Sequence, residues 1–151
     1  MKVNERGFSL LEILTVMVMV GIIVAMGIPK FGTTMTRQNV RGARQLITTM
    51  HSRARNAAIT RGRATKLAIN NGNLVILSAH PVTGVTDTVG RTAEDVVGRY
   101  SVTFSVNPST RDTLSFDARG LGTEGSATTI FVSKSGYADT ISISPLGRIV
   151  H

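Results

Sequence analysis

The side-chain pattern passes through three regimes: an apolar run from Phe8 to Ile28 broken by one acid, a helical period, and then alternation. In the first, Glu12 is the only ionisable residue, and a helix of this length reaches roughly 30 Å, enough to span a bilayer. In the second, residues 29–62, Val40, Ala43, Ile47, Met50, Ala54 and Ala57 recur in steps of three and four. That spacing predicts one buried stripe on a continuing amphipathic helix. Gly32, Thr33, Thr34 and Gly42 lower helix propensity, so bending is expected near the end of the apolar run.

From residue 63 to 151 the pattern is that of strands. Residues 64–69 and 74–79 flank Asn71-Gly72, a pair suited to a hairpin turn that needs positive φ. Residues 80–98 are rich in turn formers and read as a surface loop. Tyr100 to Val106 alternates as a strand, Leu114 to Phe116 makes a shorter one, and the glycines of 118–127 mark a loop. Residues 128–133, 139–144 and 148–150 form a C-terminal meander, with a turn at Ser135-Gly136.

The 151 residues suffice for one anchor and one small domain, and the absence of cysteine removes disulfides and thiolate metal sites. The formal charge is +8. No acid occurs between Glu12 and Asp87, whereas Lys30, Arg37, Arg41, Arg44, Arg53, Arg55, Arg61, Arg63 and Lys66 do. Arg37, Arg41, Arg44 and Arg55 fall within an arc of roughly 60°, clear of the apolar stripe. Such a stretch attracts phosphates of lipid or nucleic acid, or else meets acids of neighbouring subunits or water; subunit contact or solvation is the favoured reading.

Three readings compete for the apolar run: a plain anchor, a cleaved secretory signal ending near Ala25-Met26-Gly27, and a retained helix in which Glu12 has a purpose. A carboxylate near mid-membrane costs on the order of 2.5–3.5 kcal/mol, which a disposable signal has no reason to carry. The run Arg6-Gly7-Phe8-Ser9-Leu10-Leu11-Glu12 resembles the type III signal of type IV pilins and type II secretion pseudopilins. The resemblance implies that a prepilin peptidase cuts after Gly7 and methylates the new N-terminus at Phe8. Residues 1–7 are then a leader and 8–28 a retained transmembrane helix. Glu12 would pair with the cationic N-terminus of a neighbouring subunit, and Pro29 stands where many members carry a kinking proline. Counting charges favours the opposite topology, because Lys30, Arg37, Arg41 and Arg44 outnumber Lys2 and Arg6. The resemblance to the type III signal implies instead an N-terminus in the cytoplasm, and with it a single-pass inner-membrane protein whose head is periplasmic.

Leu114 to Gly120, Thr129 to Val132 and Ile141 to Ile149 are similar to the C-terminal half of the GspH/FimT family of minor pseudopilins and pilins. That resemblance implies an α+β fold, a long N-terminal helix packed on an antiparallel β-sandwich head. It implies work as a structural subunit of a pseudopilus in type II secretion, with other pilins and exported cargo as partners, or as a FimT-like minor pilin. Some members bind DNA through a C-terminal Gly-Arg-x-Arg. Here the element reads Gly147-Arg148-Ile149-Val150, so one phosphate contact is missing.

Chemistry finds little support. His51, His80 and His151 lack metal-ligand spacing and read as solvated. No nucleophile elbow accompanies the serines, and residues 120–125, GLGTEG, lead into no helix that would make a phosphate loop. Neither an enzyme nor a cofactor is expected. In the head from Asp87 onward, six basic residues stand against seven acidic ones, a poor phosphate surface unless charges cluster.

Overall fold

The computed structural model describes residues 8–79, 86–90 and 93–150, without the side chains of 27–31. Two compact units are present, Met1–Met35 and Thr36–His151, and helix α1 (Leu10–Arg61, 52 residues) contributes to both. Among the described residues no helix is long and apolar enough to cross a membrane. The expected apolar run over 8–28 is described in full only as far as Met26. In the first unit every large apolar side chain from Phe8 to Met26 is at least half exposed.

The second unit is built on the stripe of α1. Val40, Ala43, Ile47, Met50, Ala54 and Ala58 are each 5% exposed or less. Ala58 closes the stripe where Ala57 was expected; a step of four from Ala54 keeps to the buried ridge, whereas Ala57 is half-buried at its side. Gly42 has a packing role beyond its low propensity: a Cβ there would lie 2.6 Å from Cε1 of Tyr100. The helix stops at Gly62, whose φ of 60° suits a left-handed cap. Gly62 N–H donates to the Ile59 carbonyl and Arg63 N–H to that of Ala58, both at 3.2 Å, the paired bonds of a Schellman end.

Strands β1 (Thr65–Asn70) and β2 (Asn73–Ala79) form the expected hairpin, with φ of 47° at Asn71 and 83° at Gly72. Strands β3 (Thr86–Thr88) and β4 (Glu94–Asp95) both pair with β2, and β6 (Thr113–Phe116) pairs with β1, making a five-stranded antiparallel sheet. A second antiparallel sheet has the order β5-β7-β8-β9, from Thr103–Asn107, Thr128–Lys134, Tyr137–Ile143 and Ile149–Val150.

Residues 80–98 are therefore not simply a loop. Residues 80–85, 91 and 92 lie outside the described ones, but the rest supply β3, β4 and the start of helix α2 (Val96–Tyr100). Asp95 caps α2 by accepting from Gly98 N–H at 2.7 Å. The next strand consequently begins at Thr103 rather than Tyr100, after a left-handed Ser101 with φ of 50°.

Alternation buries one face of each sheet. Leu67, Ile69, Leu74, Ile76, Leu114 and Phe116 from the first sheet, and Ile130, Val132, Ile141 and Ile143 from the second, join the α1 stripe in one core. Phe116 is the largest of the fully buried side chains, at 2% exposure. Truncation by Phe116→Ala should cost about 3–5 kcal/mol in urea unfolding, from lost burial and the cavity left behind. A loss below about 1 kcal/mol would contradict this packing.

Candidate functional site

Of the residues singled out in the N-terminal signal, Gly7 lies outside the described ones. Phe8 is 79% exposed, just ahead of α1. Glu12 stands in the first turn, where Ser9 O accepts its N–H at 3.0 Å and that of Ile13 at 3.2 Å. Phe8, Glu12, Ile13, Val16, Met17 and Val20 line one groove of about 480 Å³. Its surroundings are apolar except for the Glu12 carboxylate, which sits at the helix end where the macrodipole favours an anion. This arrangement sets one acid on an exposed apolar helical face.

The other candidate, Gly147-Arg148, occupies the turn between β8 and β9. Gly147 N–H donates to Ser144 O at 2.8 Å, Ser144 N–H to Arg148 O at 2.8 Å, and Arg148 N–H to Ser144 Oγ at 3.1 Å. The turn needs Gly147, with φ of 74°, because a Cβ would meet Cε1 of Phe116 and the Gly122 backbone, each at 3.0 Å. Gly122 returns the constraint, since a Cβ there would lie 2.6 Å from Gly147 N. The loop carrying Gly122 is shaped by Asp117, whose Oδ1 accepts from Leu121 N–H at 2.8 Å and Arg119 N–H at 2.9 Å. Those backbone bonds, Leu121's first, hold the Asp117 carboxyl below its ordinary pKa.

Arg148 is exposed, and among the described residues nothing pairs with its guanidinium. Several other basic groups of the second unit are engaged. Arg99 pairs with Glu94 at 3.2 Å, Arg111 with Glu124 at 3.8 Å and Arg119 with Asp117 at 3.1 Å, while Lys134 Nζ donates to Tyr100 O at 2.8 Å.

The arginine arc of α1 is not the free basic face its spacing suggests. Arg44 donates to both carboxylate oxygens of Asp139 at 3.1 Å, and Arg37 lies 5.8 Å from the Tyr137 ring centroid, so β8 takes up both. Arg55 is half-buried, with an Nε that has no hydrogen-bond partner, while Arg41 stays exposed.

His51 also departs from the solvated histidine expected. It is 3% exposed and edge-on to Phe116, with ring centroids 5.2 Å apart and planes at 78°. The sequence carried a signal for this, since 47, 51, 54 and 58 share one helical face. Burial, aided by the Arg55 charge, holds its pKa down at about 4. His80 and His151 lie outside the described residues.

A long N-terminal helix whose amphipathic half is covered by antiparallel sheets defines a pilin-like subunit. Residues 42–147 match the family described as type II transport protein GspH, and residues 2–28 match the prokaryotic N-terminal methylation motif. The chain belongs to the GspH family, whose members are pilin and pseudopilin subunits, anchored in the inner membrane and associating with other pilins. No curated protein matches it significantly. Among solved structures it is similar to the type IV minor pilin FimU of Pseudomonas aeruginosa strain PAO1 in two crystal forms. One has a TM-score of 0.60 and 20% identity over 76% of this chain and 88% of that one. The other has 0.58 and 19%, over 73% and 90%. At such identity the likeness is one of fold.

The lowered pKa of His51 gives a signed pH dependence. Above pH 6.5 the histidine is neutral whether the chain is folded or not; between 6.5 and about 4 only the unfolded chain takes the proton. Stability should be complete above 6.5 and fall by about 2–3 kcal/mol on the way down to pH 4.5. Urea unfolding at pH 7.5 and 4.5 checks this; the difference should shrink by that amount in His51→Leu.

Proposed function

We propose that this chain is a minor pseudopilin of a type II secretion system, a structural subunit of an inner-membrane-anchored pseudopilus that helps export proteins. The observation that carries the reading is the juxtaposition of Phe8 and Glu12 on one exposed apolar face, inside the segment that matches the N-terminal methylation motif. Prepilin peptidase cuts after Gly7 and methylates Phe8. Residues 8–28 then serve as the single transmembrane helix, 29–62 as the stalk, and 63–151 as the periplasmic head. An acid in hydrocarbon is tolerable when paired, so an unpaired Glu12 favours docking beside the positive N-terminus of a neighbouring subunit. The head is left to meet partner pseudopilins or exported cargo, and no catalytic step or cofactor is required of it.

A second reading, a FimT-like minor pilin that assists pilus assembly or binds DNA during transformation, draws on the exposed Arg148 in its glycine turn. Against it stand Val150 in place of a second arginine and the engagement of Arg37, Arg44, Arg99, Arg111 and Arg119 within the subunit.

Glu12→Ala should leave membrane insertion intact and sharply reduce incorporation into filaments, scored by cross-linking to partner subunits; normal incorporation would remove the pairing role. Gly7→Val should abolish processing, and recovery of a chain starting at Phe8 in that variant would overturn the cleavage site. For the second reading, the full chain in detergent should leave the anisotropy of labelled duplex DNA unchanged at low salt. Binding that weakens with salt and drops in Arg148→Ala would favour DNA uptake instead.

A further inference from the structure

Among the described residues, two buried polar side-chain atoms have no hydrogen-bond partner: His51 Nε2 and Arg55 Nε. Native proteins leave few such atoms, because each costs the desolvation of a group that water would have satisfied. Both residues line the same pocket of about 410 Å³, between one face of α1 and the β8–β9 turn. From the helix come His51, Ser52, Arg55 and Asn56, at successive one-, three- and one-residue steps that share a face; Gly147 comes from the turn and Ile149 from the start of β9.

The chemistry of this lining is specific. Arg55 supplies one positive charge, and Ser52 and Asn56 supply uncharged donors. His51, neutral at physiological pH, lies beneath them and senses any charge that the pocket takes up. No residue lining the pocket is acidic. Arg148 stands between two of them without lining it, and Asp117 and Arg119 of the neighbouring loop are paired with each other. The Arg55 stem passes close to Gly120, its Cγ 3.2 Å from where a Cβ there would be. One positive charge among neutral donors matches a singly charged planar oxyanion better than a doubly charged phosphate.

We propose that this pocket binds a carboxylate, gripped by the Arg55 guanidinium and hydrogen-bonded by Ser52 and Asn56, above the buried His51 ring. The assignment does not depend on which secretion or pilus system the chain serves. A free small acid and an acidic side chain of another polypeptide share this chemistry, and the test separates them.

The full chain in detergent, with its histidine imidazoles labelled with nitrogen-15, is titrated with acetate, with N-acetyl-aspartate amide and with inorganic phosphate at constant ionic strength. His51 is assigned by comparison with His51→Gln. The expected result is a saturable displacement of the His51 signals and a rise of its pKa with either carboxylate. Equal affinity for the two points to a free acid, and tighter binding of the blocked aspartate points to a side chain. Arg55→Gln should weaken binding about ten-fold or more, Ser52→Ala about three-fold, and exposed Arg53→Gln not at all. Retention of the Phe116 ring shift on His51 verifies folding of Arg55→Gln, and Ser52→Ala, at an exposed helix position, provides an independent variant. Displacements linear in acetate, tighter binding of phosphate than of either carboxylate, or an unchanged response in Arg55→Gln would each overturn the proposal.

Discussion

Everything in the second unit depends on burying one narrow face of a helix. The stripe from Val40 to Ala58 includes three alanines and only one straight-chain residue, Met50, so the sheets can come close and the larger side chains must come from them. Phe116, Leu67, Leu74, Ile130 and Ile141 supply that bulk. The division of labour explains why four of the strands alternate so regularly while the helix carries little apolar volume of its own. A helix of this composition, with glycine at 42 and threonines at 48 and 49, has modest intrinsic propensity and is held helical chiefly by the surface it covers.

The same closeness reorganises the charges. A run of basic residues with no acid between Glu12 and Asp87 would repel itself if all of it faced water. Asp139 answers Arg44, the Tyr137 ring answers Arg37, and the sheets pair most of their own arginines. The Arg44–Asp139 pair is only partly exposed, at 34% and 20% for the two side chains, so it is screened less than a pair on the open surface. Charge on the helix is thus tied to β8 in particular, which gives the register of that strand an electrostatic as well as an apolar origin.

The strand content was legible where alternation was uninterrupted: the β1–β2 hairpin with Asn71-Gly72, the short β6, and the meander all lie within a residue or two of their sequence limits. It failed where short elements depend on partners. β3 and β4 are three and two residues long and exist because β2 offers them an edge, and α2 exists because Asp95 caps it over a buried Val96. Such elements have no period to read. His51 reads as solvated from its type alone, although spacing puts it on the face of Ile47 and Ala54, where it is buried. The partners of Arg37 and Arg44 lie about a hundred residues away in sequence, a distance over which pattern carries no information. At the N-terminus, by contrast, the Phe8–Glu12 face follows directly from a four-residue step.

Gly122 and Gly147 touch backbone to backbone, each occupying the space where the other's side chain would project. Their fates are therefore joined: a gain of one carbon at either position cannot be absorbed by trimming the other, which has nothing left to remove. The route between this C-terminal turn and any differently shaped one passes through displacement of a whole segment rather than through single substitutions. The turn that displays Arg148 can thus vary freely in what it presents outward while its backbone path stays fixed from within.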